Sequence, residues 1–455
     1  MERQVGEKRT WCKRQRLVAT RLFYNGRFNS VLLFLPAFGV LLLILGFGQN
    51  VPFWDEWELV PIFQHLHAGH FYWHDFWQQH NEHRIVLPTL ILVGLAYLTH
   101  WNIQTECVLS LLVATASFWI LRDTILMTFG SGKHRMTFYL LLLIALIWFS
   151  PVQVENWLWG WQLEWFLNVL GVVLVIYGVA KLLRGATTIQ YLPIILCGGV
   201  MAQYSLGNGT LIWPLIVLTL WYIRVSIWQT FSVLTVGSIT TALYYVHYAS
   251  VGTDVVSRRL AEAHPLTWSR YVLMYLGRPV SFLSKPASLL GFVLAATFLA
   301  LAVYLLSRKR ELFRQGLPWL ILGSYTLGSA LITGIARLDF GVSEALSSRY
   351  TTISSLLLIS LILLGWLARS SICSWLGKYN KMGLIAIVVG LYGLVLINVG
   401  WGLHAAREQH SKLVAIHVCT KAPDPSDTCV LTTYPDSSIV KPRIQYLKSI
   451  HWGGY

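Results

Sequence analysis

The chain has 455 residues, of which 55% are hydrophobic and only 12% charged, with a mean hydropathy of +0.56. A soluble protein of this length carries far more charge, so composition points to the bilayer as solvent. The net charge of +15 argues against that only superficially. Most basic residues flank apolar runs, where they fix topology or meet anionic headgroups, and nucleic acid is not an expected partner. Six cysteines without a Cys-x-x-Cys pair exclude a dense disulfide framework, a zinc ribbon and a thioredoxin-type site.

The chain opens on a cytoplasmic basic arm, residues 1–30, with Arg3, Lys8, Arg9, Lys13 and Arg14 among its cations. The apolar stretch 31–48 follows directly. It is longer than a signal-peptide core and lacks a small-residue cleavage site, so it reads as a retained anchor. Further spans are expected near 106–129, 137–150, 165–183, 190–205, 211–227, 230–249, 287–306, 317–335, 350–368 and 383–402, about eleven in all. The expected fold is therefore an all-α polytopic membrane protein, with one membrane domain over 31–403 and a short extracytoplasmic tail over 404–455.

Residues 85–99 decide the topology. A crossing there would put the connectors Lys133-His134-Arg135, Arg308-Lys309-Arg310 and Lys378 to Lys381 outside. The positive-inside rule opposes that, and about fifteen residues are short for a crossing. The segment is expected to be membrane-parallel or re-entrant, with the N-terminus in and the C-terminus out. The outer side then collects 49–84, 151–164, 206–210, 250–286, 336–349 and the tail. Cys419 and Cys429 in that tail either form a disulfide in an oxidising exterior or remain two thiols.

The first outer loop is the densest in chemistry. It reads Val51-Pro-Phe-Trp-Asp-Glu-Trp-Glu58, then His65-Leu-His67, then Trp77-Gln-Gln-His-Asn-Glu-His-Arg84. Carboxylates and imidazoles crowded into a partly dehydrated loop suit proton transfer or metal binding. An interfacial aromatic belt with incidental charge is the plainer alternative for its tryptophans. No His-Glu-x-x-His motif occurs; a loosely held divalent cation (Mg or Mn) on Asp55, Glu56 and His83 stays open. The second outer loop holds Glu155, Asn156, Glu164 and tryptophans 157, 159, 161 and 165. Such rings either form a belt or stack on sugar faces.

Outer arginines run against the topology rule. Arg258, Arg259, Arg270 and Arg278 lie in 250–286, while Arg337 and Arg349 frame a loop containing Asp339 and Glu344. A guanidinium at the interface can grip a phosphate bidentately, or pair with those carboxylates or lipid phosphate. Carboxylates, aromatics and arginines together suit a ligand with an apolar tail, a phosphate and a polar head.

The anchor, the acidic pair in Phe53-Trp-Asp-Glu-Trp57 and the short helix opening near Pro88 resemble the GT-C class of polytopic glycosyltransferases. That class includes protein O-mannosyltransferases and lipid A aminoarabinose transferases. The stretch Asn81-Glu-His-Arg-Ile-Val-Leu-Pro88 and the later Ser348-Arg-Tyr-Thr351 also resemble a group of bacterial membrane proteins without an assigned activity. The resemblance covers roughly residues 30–130. It implies an enzyme of the bacterial plasma membrane, its site facing the exterior. Such an enzyme moves a sugar from a polyprenyl-phosphate donor to an extracytoplasmic lipid, glycan or protein, with inversion. Asp55 would be the general base and Glu56 its assistant. By this chain's own layout, Arg349 with Arg84 or Arg337 would grip the phosphate, and Glu58, His80, Glu82, His83, Trp157 and Trp161 would serve the acceptor; the histidines of 80–83 match no position in the characterised families. A lipid-linked saccharide flippase would instead place ionisable residues inside its spans. An O-antigen polymerase or ligase would carry its main loop late in the chain.

Overall fold

A computed structural model describes residues 26–130, 135–249, 252–376 and 380–455. Most of the basic arm, the Lys133-His134 connector and Lys378 lie outside the described residues. Among the described residues the chain is all-α, without a strand. The main helices, in order, are α1 (Gly26–Phe47), α2 (Val60–His67), α3 (Val86–Thr99), α4 (Ile103–Phe129), α5 (Arg135–Trp148), α6 (Leu163–Leu183), α7 (Thr188–Gln203) and α8 (Ile212–Tyr222). They continue with α9 (Ile227–Tyr245), α10 (Gly252–Ala263), α11 (Pro265–Gly277), α12 (Ser284–Arg308), α13 (Leu317–Arg337), α14 (Thr351–Leu376), α15 (Asn380–Thr420) and α16 (Ser437–Ile450). Helices cover most of each stretch read as a span, but 211–227 is broken, since α8 ends at Tyr222 and α9 begins at Ile227, and 31–48, 137–150 and 190–205 hold only shorter apolar helices.

Six of these helical stretches are long and apolar enough to cross a membrane: Ile103–Phe129, Gly160–Leu183, Ser284–Arg308, Leu317–Phe340, Ser348–Ser371 and Val389–Thr420. Outward faces are apolar too, in the shorter α1 and in α12. In α1, Leu33, Ala37, Val40 and Ile44 pack inward at helical spacing, while Val31, Phe34, Leu35, Phe38, Leu42 and Leu45 stay exposed. In α12, Leu289, Phe292, Leu299 and Val303 are likewise exposed. A helix apolar on every face is stable only where its outer face meets hydrocarbon rather than water.

Close backbone approach holds α6 against α7. A Cβ on Gly171 would sit 2.5 Å from the Gly198 carbonyl oxygen, and one on Gly198 would sit 2.6 Å from that of Gly171. Small residues at such crossings let dispersion act between backbones where lipid offers no hydrophobic drive.

Helix α3 begins and ends at one end of the bundle. Leu87 N donates to Tyr204 O at 3.2 Å, just beyond α7, and Gly453 N of the tail donates to His100 O at 3.1 Å. The exit of α1 and the entry of α4 are pinned together at that same end. Ile103 N donates to Asn50 Oδ1 at 2.9 Å, and Gln104 Nε2 to Gly48 O at 2.9 Å. With 14 residues, α3 is about 21 Å long, against about 30 Å of hydrocarbon.

The tail is packed rather than loose. Helix α15 runs unbroken through residue 403, so the tail starts as its continuation. Cys419 and Cys429 are bonded. Val440, Ile444 and Leu447 bury one face of α16. Trp54 N donates to Thr433 O at 2.9 Å, and Arg443 Nη1 donates to Trp57 O at 2.8 Å.

Candidate functional site

A cavity of about 700 Å³ opens where the tail, the first loop and the ends of several helices meet. Its walls draw residues from every segment expected on the outer side: Asp55, Glu155, Gly207, Arg258, Arg349 and Lys412 each come from a different one. All these segments therefore lie at one end of the bundle.

Residues Trp54–Leu59 form a 3-10 turn a few residues after α1. Trp54 adopts a left-handed backbone (φ +50), a strained choice for a bulky residue that persists only where the surroundings fix it. Glu56 supplies much of that fixing. Its Oε2 accepts from Phe53 N at 2.7 Å, and its Oε1 accepts from Trp161 N at 3.2 Å. The carboxyl thus caps its own turn and clamps the second outer loop to the first. Gly160 permits this contact, because a Cβ there would sit 2.1 Å from Glu106 Oε2 and 2.9 Å from Glu56 Oε1.

Neighbouring carboxylates consequently have opposite environments. Asp55 lines the cavity, with its Oδ1 3.6 Å from His80 Nε2. Burial alone would raise its pKa, but the contact with His80 and the charges of His80, Arg349 and Arg337 outweigh it and hold Asp55 below its usual value. Glu56 is fully buried, off the cavity wall, and burial pushes it up to about 8 against the pull of its backbone donors.

The His80–His83 turn forms the adjoining wall. His80 and His83 exchange two backbone hydrogen bonds of 2.8 Å, and Asn81 takes the left-handed conformation (φ +47) that asparagine tolerates. The His80 ring lies against Trp161, centroids 4.8 Å apart. His83 Nδ1 accepts from Gly207 N at 3.3 Å, leaving Nε2 toward Glu82 at 3.5 Å. Burial lowers its pKa to about 4, so His83 is neutral at neutral pH. Glu82 is ion-paired with Arg337.

The opposite wall is built on Glu155. Its Oε2 accepts from Ser347 Oγ at 2.9 Å, Ser348 Oγ at 2.8 Å and Arg349 N at 2.9 Å. Asn156 Nδ2 donates to Arg349 O at 2.8 Å. Burial raises the Glu155 pKa, but the Arg349 charge and these hydroxyl and amide donors win, so it stays ionised. The Arg349 guanidinium pairs with Glu344. Trp159, Trp161 and Trp165 complete an aromatic floor.

Of the residues read from sequence as a site, Asp55, His80, Glu82, His83, Trp161, Arg337 and Arg349 meet at the cavity. Glu56, Glu58, Arg84 and Trp157 do not. Glu58 turns to the tail, accepting from Tyr434 Oη at 2.7 Å beside Arg443 at 3.3 Å. Arg84 is buried and spends its donors on three backbone carbonyls, Tyr244 O (2.6 Å), Trp77 O (2.6 Å) and Val246 O. It holds the first loop to the end of α9 and has little left for a phosphate. Trp157 is fully buried, bonded to Ser150 O at 3.0 Å and stacked on Phe166. Asp55, Glu56 and His83 do not converge, and among the described residues no three His, Cys, Asp or Glu side chains are grouped to hold a metal ion.

Sequence reading missed Gln409, Lys412 and Tyr434 of the tail, Tyr244 and Tyr245 in the last turn of α9, and Tyr248 just beyond it, all of which line the cavity. Lys412 Nζ sits 4.5 Å from the Phe53 ring centroid. Nothing in their local pattern marks them. No family model, curated protein or solved structure matches this chain.

Proposed function

We propose that the protein is an inverting membrane glycosyltransferase that uses a polyprenyl-phosphate-linked sugar. The observation that carries this reading is the placement of an ionised Asp55 and the cationic Arg349 around one aromatic-floored cavity. The acceptor hydroxyl attacks the anomeric carbon from the face opposite the phosphate. Asp55 takes the hydroxyl proton as the new C–O bond forms. The old bond to phosphate breaks with its electron pair on oxygen, and a guanidinium at Arg349 stabilises the developing charge. His80 fixes the Asp55 carboxylate, and Trp161 offers its face to a sugar ring.

In this reading the chain crosses the bacterial plasma membrane eleven times. The N-terminus is cytoplasmic, α3 lies across the outer leaflet, and the C-terminus and cavity face the exterior. An even number of crossings must separate residue 84 from residue 151, since both flank the cavity end. Of the helices in between, α3 is taken as the one that does not cross because both its ends are tied to that end of the bundle; length does not separate it from α5, which also has 14 residues.

The test is reconstitution of the full chain in proteoliposomes with radiolabelled polyprenyl-phosphate sugars. Label should move to an acceptor fraction with wild type and not with Asp55→Asn. Equal transfer by both proteins would remove Asp55 as the base. Reporters fused after Gly316 and after Tyr455 should face opposite sides; the same side for both would end the eleven-span scheme.

A further inference from the structure

Arg349 is mounted from one direction and neutralised from another. Its backbone is fixed by the second outer loop, through Glu155 and Asn156. Its guanidinium Nη2 is occupied by Glu344 Oε1, and the Tyr350 hydroxyl lies 3.4 Å from the same oxygen. The mount does not depend on Glu344. That residue sits on a separate one-turn segment, Val342–Leu346, which follows Gly341 at φ +93. The side chain can therefore leave without dismantling the wall that carries Arg349.

Arg337 is bound differently. Its partner Glu82 comes from the distant His80–His83 turn and ties that turn to α13. That pair is more enclosed, at 21% and 11% side-chain exposure, against 27% and 24% for Arg349 and Glu344. The Arg349–Glu344 pair is local, more open, and faces the cavity. A carboxylate offers a guanidinium the same two-oxygen fork that phosphate does, but with one charge where a phosphate monoester can carry two.

We propose that Glu344 is a resident stand-in for phosphate: a phosphate-bearing ligand takes Arg349 by displacing Glu344, whose carboxylate turns away to solvent. The inference rests on reading the cavity as a phosphate site, and it deepens that reading by assigning the anion's seat and its competitor. No covalent bond changes. Glu344 sets a threshold that neutral sugars and prenyl alcohols do not overcome. It yields most readily to a dianion, so Arg349 is engaged most fully as charge develops on a departing phosphate.

The experiment measures binding of a short prenyl phosphate, the matching prenyl alcohol and inorganic phosphate to the full chain in nanodiscs. Proteins are wild type, Glu344→Gln, Arg349→Lys, the double variant and, as a control outside the cavity lining, Glu408→Gln. Glu344→Gln should tighten prenyl phosphate about tenfold and leave the alcohol unchanged. Arg349→Lys should weaken prenyl phosphate and cancel most of the Glu344→Gln gain in the double variant, the signature of two groups acting on one ligand. Glu408→Gln should change nothing. No tightening in Glu344→Gln, or a gain that persists undiminished in the double variant or is matched by Glu408→Gln, overturns the exchange. Equal affinity for inorganic phosphate keeps the exchange and makes free phosphate the ligand; preference for the prenyl ester makes it a lipid. Sugar transfer without any Glu344 effect would sink the exchange alone, and exchange without transfer would sink the enzyme reading alone.

Discussion

The first outer loop and the C-terminal tail form two sides of the same cavity from very different sequences. The loop carries five carboxylates and six histidines between residues 49 and 84, and its Asp55, His80, Glu82 and His83 reach the cavity. The tail looks ordinary, yet Lys412 and Tyr434 close the rim and Arg443 and Thr433 brace the turn that bears Asp55. Density of reactive side chains marks where chemistry is placed. It does not mark what encloses it, because enclosure depends on contacts hundreds of residues apart.

The largest effect expected on this contrast is at Asp55. Asp55→Asn should lower transfer at least about 10³-fold, the upper part of the range for a general base, with unchanged thermal unfolding in detergent. A loss of that size from Lys412→Ala instead would move the chemistry from the loop to the tail.

Arg84 tests whether charge within the loop is chemical or structural. Arg84→Gln strands the carbonyls of Trp77, Tyr244 and Val246 and should cost about 3 kcal/mol, read as a lower unfolding midpoint. Normal stability with lost phosphate binding would restore Arg84 to the clamp.

The disulfide tests the tail. Cys419→Ser with Cys429→Ser opens a loop of sequence separation 10. This should cost about 2–3 kcal/mol, expressed as faster hydrogen exchange over residues 421–436. Transfer should fall several-fold through the loosened rim; unchanged transfer would reduce the tail to a cover.

Glu56 gives a pH signature. Its folded pKa, about 8, lies above its ordinary 4.5, so the folded state holds the extra proton between those values. Its contribution to stability is complete below about pH 4.5 and is lost as pH rises through about 8. Glu56→Gln removes the titrating group, leaving one acceptor oxygen where two carboxyl oxygens now accept from Phe53 N and Trp161 N, and should flatten that slope in unfolding midpoints measured from pH 5 to 9. An unaltered slope would assign the titration elsewhere.

The smallest effect belongs to Tyr434→Phe, which removes the hydroxyl held by Glu58. Its cost is about 1 kcal/mol, a modest rise in acceptor KM with kcat intact. A kcat loss without a KM change would place the tail in the chemistry.

Much of this was readable in the chain. Apolar length located most of the helical stretches but did not decide which of them cross, since α3 and α5 both have 14 residues. Asp55 and Arg349 stood out because charge is rare here and each adjoins a span. Glu56 was indistinguishable from Asp55 in sequence, since one residue of 3-10 rotation separates a wall from the interior. Arg84, expected at the phosphate, instead reaches three backbone carbonyls, and the sequence offered no sign of it: a guanidinium that serves backbone carbonyls has the same local sequence as one that serves an anion.

What the sequence determined by itself was the solvent and the helices, because hydrocarbon imposes a length and an apolar composition that any window of residues reveals. Tertiary structure alone decided which charges face the cavity and which lock its walls. That choice rests on partners such as Trp161 for Glu56 and Glu155 for Arg349, more than a hundred positions away. The energy of a buried charge is set by its neighbours in space, and only the folded chain supplies them.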